Sequence, residues 1–341
     1  MCHEEYITHR MNSVLITGAG YRIRKRGDVL TIESGKDGDA TEPPRTLSPL
    51  GIDLLAIAGD HSISTAAVRL VTSHGGAIAL MDGLGNPYGH FLPLGRSALI
   101  ENYESQASAS PKRRLAIAKA ICAGALLNKL SFLSKLERIR GFDLSREIGI
   151  IEEALDRVDE CESQDSLRGV EGSSAHAYFQ AFSLAFDEVW GFTGRTQNPP
   201  PDPVNALLSY GYGMLYVQAR QALVLAGYSP YYGAYHETYK KQEALVYDLV
   251  EEFRQPVIDR TVVTFLAKHM ATPDDFTYLD EGGCTIETAV KKKYAAAVLA
   301  RIHGKVKHEE GTFQDLFKQQ AERIGKALTE GSTYIPYRDR T

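Results

Sequence analysis

Glu101-Asn102-Tyr103-Glu104-Ser105-Gln106-Ala107-Ser108-Ala109-Ser110-Pro111-Lys112 separates two kinds of pattern in this chain. The stretch is polar and suits a linker. Before it, from Ser13 to about Leu94, short apolar runs are broken by glycine: Val14-Leu15-Ile16, Val29-Leu30-Thr31-Ile32, Leu54-Leu55-Ala56-Ile57-Ala58 and Ala77-Ile78-Ala79-Leu80. Short strands with turns such as Gly27-Asp28 describe a β-rich domain. One helix interrupts it, Ser64 to His74, with Ala67, Val68 and Val71 on one side and Gly75-Gly76 as the stop. After Pro111 the patterns lengthen to helical period. Leu115 to Leu136 is rich in alanine and leucine, Arg146 to Glu160 is amphipathic, and Ala175 to Val189 carries Phe179, Phe182 and Phe186 at helical spacing. Gly191 to Pro203, with three consecutive prolines, is a loop ending in Asp202-Pro203, an N-cap and first-turn pair; Gly227 stops the helix it opens. The expected fold is α+β: a small N-terminal β-rich domain over 1–100, a linker over 101–112 and a larger all-α domain over 113–341.

With 341 residues, 43% hydrophobic and 24% charged, the composition is that of a soluble globular protein of two domains. The nearest thing to a membrane span is Val204 to Ala226, but Arg220 interrupts it and Asn205, Ser209, Gln218 and Gln221 add polar groups that lipid penalises. The N-terminus has no basic region followed by an apolar run, so no membrane and a cytoplasmic location are expected. Cys2, Cys122, Cys161 and Cys284 lack the short spacings of a zinc site or a disulfide framework. Net charge is −5, which does not announce a nucleic-acid binder, although local potential decides partners. The basic runs are Arg22, Arg24, Lys25 and Arg26, then Lys112, Arg113 and Arg114, then Lys291, Lys292 and Lys293. Gly18-Ala19-Gly20 hints at a dinucleotide fingerprint, but Ile23 stands where a third small residue is needed and basic residues continue as a hairpin strand.

The chemistry concentrates in Tyr247-Asp248-Leu249-Val250-Glu251-Glu252-Phe253-Arg254-Gln255-Pro256. Asp248 and Glu251 are three apart, so a helix projects both carboxylates from one face while Leu249 and Phe253 face away. Such a face is either solvated surface or half of a divalent-metal site. His236, in Tyr231-Tyr232-Gly233-Ala234-Tyr235-His236, comes shortly before it, and an imidazole beside aromatics is either packed or a ligand. Glu171 lies between Gly169 and Gly172, a turn position with Ser173-Ser174 able to cap a following helix.

Taken together, four strings carry a resemblance. They are the segment around Glu171, then Asn198-Pro199-Pro200-Pro201-Asp202-Pro203-Val204-Asn205-Ala206-Leu207-Leu208-Ser209-Tyr210-Gly211-Tyr212, then Ala226-Gly227-Tyr228-Ser229-Pro230-Tyr231-Tyr232-Gly233-Ala234-Tyr235-His236, then Asp248-Leu249-Val250-Glu251-Glu252-Phe253-Arg254. In this order and spacing they resemble the CRISPR-associated Cas-one integrase family over nearly the whole chain. The resemblance implies a metal site made from Glu171, His236 and Glu251, with Asp248 as an adjacent acidic contributor and Arg254 as a phosphate contact. It implies insertion of short DNA fragments into a CRISPR array by transesterification, by homodimers bridged by a small Cas-two partner. The residues before Met11 and the segment Ser34 to Arg45 look like additions to the family's plan.

The residue types suit that chemistry independently. Phosphodiester exchange passes through a charge-dense phosphorus, and a divalent ion neutralises that charge. Mg²⁺ prefers oxygen ligands, and a lone histidine among carboxylates suits Mn²⁺ equally, so Mg²⁺ or Mn²⁺ is expected. The attacking group is either water or a DNA 3′-hydroxyl, and the ligands alone do not choose. A stand-alone metal nuclease in repair and a non-catalytic DNA-binding scaffold therefore remain as alternatives to an integrase. Tyr210, Tyr212 and Tyr216 are expected in the core, and Lys240 and Lys241 either meet phosphate or are solvated.

Overall fold

The computed structural model describes residues 12–17, 20–34, 43–83, 86–95, 97–196, 199–236, 242–279 and 282–340. Residues 1–11 with Cys2, Gly18-Ala19, most of the Ser34 to Arg45 segment, Asn198, Lys240 and Lys241 lie outside the described residues. The chain divides into two units, Met1–Ser108 with Arg220–Ser229, and Ala109–Ala219 with Pro230–Thr341.

The first unit holds strands β1 (Ser13–Thr17), β2 (Tyr21–Arg26), β3 (Val29–Ser34), β4 (Arg45–Leu47), β5 (Leu54–Ala58), β6 (Ser62–Ile63), β7 (Ala77–Met81) and β8 (Pro87–Phe91). Helix α1 (Thr65–Ser73) precedes β7, and α2 (Ala98–Ala107) follows β8. One sheet runs β1-β5-β7-β8 and the other β4-β3-β2-β6. β5 is an unbroken apolar run because it is central, parallel to both neighbours and buried at every residue. β2 and β3 form the expected hairpin, with Arg26 opposite Val29 and Gly27 at φ +61° in the turn. Ser64 caps α1, its Oγ accepting from Ala67 N at 3.2 Å. One face of the first sheet packs Ile16, Leu55, Ile57 and Ile78 with Val71 of α1. Its other face packs Ala56, Ala77 and Met81 with Leu99 of α2 and Val224.

The polar stretch 101–112 is not an open linker. It supplies most of α2 and the start of the next helix, with Ser97 and Ser110 as N-caps. Its polarity hides a docking side chain. Gln106 is fully buried, donating from Nε2 to Ser229 O at 3.2 Å and accepting Ser229 N at 2.8 Å.

The second unit is mostly helical: α3 (Pro111–Arg140), α4 (Ser145–Arg157), α5 (Gln164–Ser183), the greater part of α6 (Pro203–Leu225), α7 (Ala244–Val250), a π-helical turn Arg254–Asp259, α8 (Arg260–Ala267), α9 (Thr288–His303) and α10 (Phe313–Thr329). It is not all-α, since β9 (Phe276–Tyr278) and β10 (Cys284–Ile286) form an antiparallel pair between α8 and α9. α5 begins eleven residues before the expected Ala175, because Ser163 caps it in a box with Ser166. Gly169 and Gly172 are tolerated inside it, with open space where a Cβ would stand. Asp202 opens α6 as expected, its Oδ1 accepting Asn205 N at 2.8 Å. Among the described residues, α3 and not α6 is the helix long and apolar enough to cross a membrane by length and composition. It buries Asn128 and Lys129, polar groups that belong to a protein core with partners.

α7 and α8 read as one helix broken by Pro256, which lacks an N–H for the ladder. The π-helical turn absorbs the break. Glu251 and Arg254 sit at this break, and Asp248 one turn before it.

Candidate metal centre

Asp248, Glu251 and Glu252 are all buried, at 1%, 3% and 1% exposure, so the acidic helix is not a solvated face. Each carboxylate has a different set of partners. Asp248 Oδ2 accepts the backbone N–H groups of Ala234 (2.5 Å) and Tyr235 (3.1 Å), while Oδ1 accepts His236 N (2.8 Å) and lies 2.9 Å from His236 Nδ1. Four contacts fill both oxygens. The carboxylate wraps the loop 234–236 onto α7 and fixes the imidazole as the Nδ1–H tautomer, which leaves Nε2 with a lone pair. Gly233 makes room for it: a Cβ there would lie 2.9 Å from Asp248 Oδ2 and 2.8 Å from Ala244 Cβ. The loop is tied from its other side by Arg114 Nη1 to Gly233 O and Gln164 Nε2 to Ala234 O. Arg114, expected in a basic run, thus serves the loop.

His236 Nε2 faces Glu251 Oε1 at 4.0 Å, and the ring keeps 36% of its side chain exposed. Burial disfavours the imidazolium, but the hydrogen bond and charge of Asp248, helped by Glu251, outweigh it and raise the pKa. Glu251 pairs with Arg254 Nη2 at 3.0 Å. Burial raises its pKa above the usual carboxylate range, with the negative charge of Glu171 acting in the same direction. Glu171 lies inside α5 and not in a turn. Its Oε2 accepts the Tyr235 hydroxyl at 2.6 Å. Burial pushes its pKa up, yet Lys129, the Tyr235 hydroxyl, Arg254 and His236 together hold it below its ordinary value.

A cavity of about 370 Å³ opens onto Glu171 and Glu251 and is lined also by Lys129, His176, Arg195, Tyr212 and Arg254. Arg254 and Arg195 each stack on the Tyr212 ring, 5.2 and 5.4 Å from its centroid. Tyr212 is buried as expected, and its hydroxyl donates to Asp259 Oδ1 at 2.6 Å. Sequence reasoning missed Lys129, Arg195, Tyr235 and Asp259. A lysine between Asn128 and Leu130 on the apolar stretch of α3 was a visible signal for Lys129, because an unpaired buried cation is costly.

Among the described residues no three His, Cys, Asp or Glu side chains are grouped closely enough to hold a metal ion as they stand. The donor types, carboxylate and imidazole, suit a divalent ion. Burial and the charge of Glu171 raise the proton affinity of Glu251, while Lys129 and Arg254 supply positive charge that lowers that of Glu171. A separation of 4.0 Å between Nε2 and Oε1 is too long for a hydrogen bond, and two donor–metal distances of about 2.1 Å span it. His236 and Glu251 thus face one another at a separation one ion could bridge, Glu171 lines the same cavity as Glu251, and Asp248 stands behind the imidazole.

An oriented imidazole, carboxylates and a cavity lined by Lys129, Arg195 and Arg254 suit phosphodiester chemistry. The family model described as CRISPR associated protein Cas1 matches residues 14–299. A CRISPR-associated endonuclease Cas1 of Methanospirillum hungatei JF-1 is 83% identical over 331 residues, 97% of this chain and 100% of the relative. The chain belongs to the CRISPR-associated Cas1 family, whose nucleases depend on a divalent metal. Two solved structures share its fold. A casposase bound to integration product superposes with a TM-score of 0.81 at 22% identity, covering 94% of this chain and 96% of that one. A chain of a partial Cas6-RT-Cas1--Cas2 complex superposes at 0.72 with 23% identity, covering 98% and 100%.

Proposed function

We propose that this chain is the integrase and endonuclease of CRISPR adaptation, joining 3′-hydroxyl ends of short DNA fragments into the repeat array by transesterification. Glu171, His236 and Glu251 hold Mg²⁺ or Mn²⁺. When bound, the ion neutralises charge on the phosphoryl group and activates the attacking oxygen. Asp248 keeps Nε2 of His236 free and aimed at Glu251, and this is the observation that carries the reading. Tyr235 steadies Glu171 by its hydroxyl, and Lys129 offsets the charge of Glu171. Arg254, paired with Glu251 and lining the cavity, meets a phosphate of the DNA. Double-stranded or branched DNA, a second copy of the chain and a small Cas2 protein are its partners, and it works in the cytoplasm. Family membership and the fold shared with a chain of a Cas1--Cas2 complex support these partners.

Strand transfer of a labelled short duplex into a supercoiled repeat plasmid, with Mn²⁺ or Mg²⁺, tests the reading. Joining by the wild type that disappears in His236→Ala is expected. Cleavage without joining points to a stand-alone nuclease. DNA binding with every reaction insensitive to Glu171→Ala and His236→Ala points to a scaffold.

A further inference from the structure

After α10 the chain ends as an extended strap that runs beside α3. Arg113 near the start of α3 donates from Nη1 to Leu328 O (2.9 Å) and Thr329 O (3.2 Å), just before Gly331 turns the chain at φ +80°. Further along, Gly124 meets Pro336, where a Cβ would stand 2.6 Å from Cβ and Cγ of the proline ring. Further still, Asn128 Nδ2 donates to Tyr337 O at 3.0 Å and Asn128 Oδ1 accepts Asp339 N at 2.8 Å. Arg113 to Asn128 is about 22 Å of helix, and Gly331 to Asp339 is about 26 Å of extended chain, so the two run parallel with matching lengths.

The same strap grips the turn that carries Glu251. Glu252, its neighbour, is fully buried and accepts the Tyr334 hydroxyl at 2.8 Å, Gln320 Nε2 at 3.0 Å and the backbone N–H of Tyr337. Asn128 closes the loop by donating to Glu252 O at 2.9 Å. Phe253 stacks on Tyr337, with ring centroids 5.8 Å apart and planes 5° from parallel. These contacts land on the chain neighbours of two site residues. Asn128 precedes Lys129, and Glu252 follows Glu251.

We propose that residues 334–339 are a positioning device that sets Glu251 and Lys129 relative to each other through Glu252 and Asn128. The proposal rests on the metal centre described under Proposed function. The physical reason is rigidity. Glu251 stands where a helix is broken by Pro256, and a broken ladder does not by itself hold a side chain to a fraction of an ångström. The strap replaces the missing ladder contacts with hydrogen bonds from α3, α10 and its own backbone. Asn128, Glu252 and Tyr334 are positioning residues, acting through the ligand they hold.

The test is Mn²⁺ binding by the full chain without DNA, titrated by electron paramagnetic resonance, beside thermal melting. Gly124→Ala pushes the strap away at Pro336 without touching the cavity, and is expected to weaken Mn²⁺ binding about tenfold. The double variant Gly124→Ala with Pro336→Gly removes the clash, and is expected to bind within threefold of wild type. Tyr334→Phe deletes one donor to Glu252 with no change of shape, and serves should Gly124→Ala fail to fold; about threefold weaker binding is expected. Wild-type affinity in both single variants, whatever their melting temperatures, overturns the strap's role, as does a double variant no better than Gly124→Ala. A wild-type chain that takes up no Mn²⁺ overturns the metal centre itself and the strap proposal with it.

Discussion

Asp248→Asn probes how the site is built, because it exchanges one oxygen for an NH₂ in a group that makes four contacts. The amide keeps one acceptor and gains a donor. With its oxygen toward His236, the new NH₂ meets the Ala234 and Tyr235 N–H groups, and two charge-assisted hydrogen bonds become donor against donor. At about 1.5–3 kcal/mol each, that is a loss of roughly 3–6 kcal/mol, concentrated on the loop carrying His236. With the amide flipped, the NH₂ faces His236 instead, and the imidazole adopts the other tautomer with its proton on Nε2. Either way Nε2 is no longer presented as a fixed lone pair. Loss of a group behind a ligating histidine costs about 10–100-fold in metal affinity. The assay is Mn²⁺ affinity followed by strand transfer at rising Mn²⁺. An affinity weaker by one to two decades is expected, with joining partly restored at saturating metal. Joining abolished as fully as in Glu171→Ala, with no recovery at high Mn²⁺, would make Asp248 a direct ligand and refute the clamp. Unchanged affinity would refute it from the other side.

Three further outcomes are expected. Glu171→Ala, His236→Ala and Glu251→Ala each reduce joining by about three orders of magnitude or more while circular dichroism stays native, since residues acting as a unit lose most of the shared effect together; a variant that keeps a tenth of the activity removes that residue from the site. Arg254→Ala weakens DNA engagement and lowers its salt dependence by about one phosphate, with a smaller loss in rate; a change in melting temperature alone would count against a phosphate contact. Stability depends on pH with a worked sign. Burial raises Asp259 to about 6 and Glu252 to about 8, against 3.8 and 4.5 for the free groups. The folded chain therefore binds more protons than the unfolded one, and these two contributions are full below about pH 4 and decline until pH 6 for Asp259 and pH 8 for Glu252. Melting temperature should fall between pH 6 and 8 and flatten there in Glu252→Gln; a profile in Glu252→Gln as steep as wild type would exclude Glu252 as the cause.

Much of the fold was legible because its signals are local. The alternation of short apolar runs with glycine marked β1, β3, β5 and β7, and Gly27-Asp28 marked the hairpin turn, since each depends only on neighbours in the chain. Asp202-Pro203 marked the start of α6 for the same reason. Misreadings arose where polar residues do structural work at a distance. The segment 101–112 looked like a linker because nothing in it announces that Gln106 finds Ser229, 123 positions on. Glu171 looked like a turn residue because flanking glycines outweighed the Ser163 cap eight residues earlier. The β9–β10 pair is three residues a side, too short to carry a pattern.

For the site, Glu171, His236, Asp248, Glu251 and Arg254 were chosen by the resemblance that four strings carry together, and residue type alone said only that such groups suit a divalent ion. Phosphodiester chemistry with a divalent ion demands carboxylate and imidazole donors, and few such groups occur together in this order. Spacing along the chain cannot assign their roles. Asp248 and Glu251 are equivalent on a helical wheel, and only the folded chain turns one toward three backbone N–H groups and the other toward His236 Nε2. Lys129, Arg195 and Tyr235 join them from α3, the loop before α6 and the loop before α7, elements that meet only in the tertiary fold. The sequence by itself therefore determined most of the elements, which are written in local pattern, and offered the acids and the histidine as candidate donors by chemical type. The tertiary structure alone decided which donors share a lone-pair direction, which are filled by the backbone and which cation stands beside each acid. Those properties depend on distances and burial between residues remote in the chain.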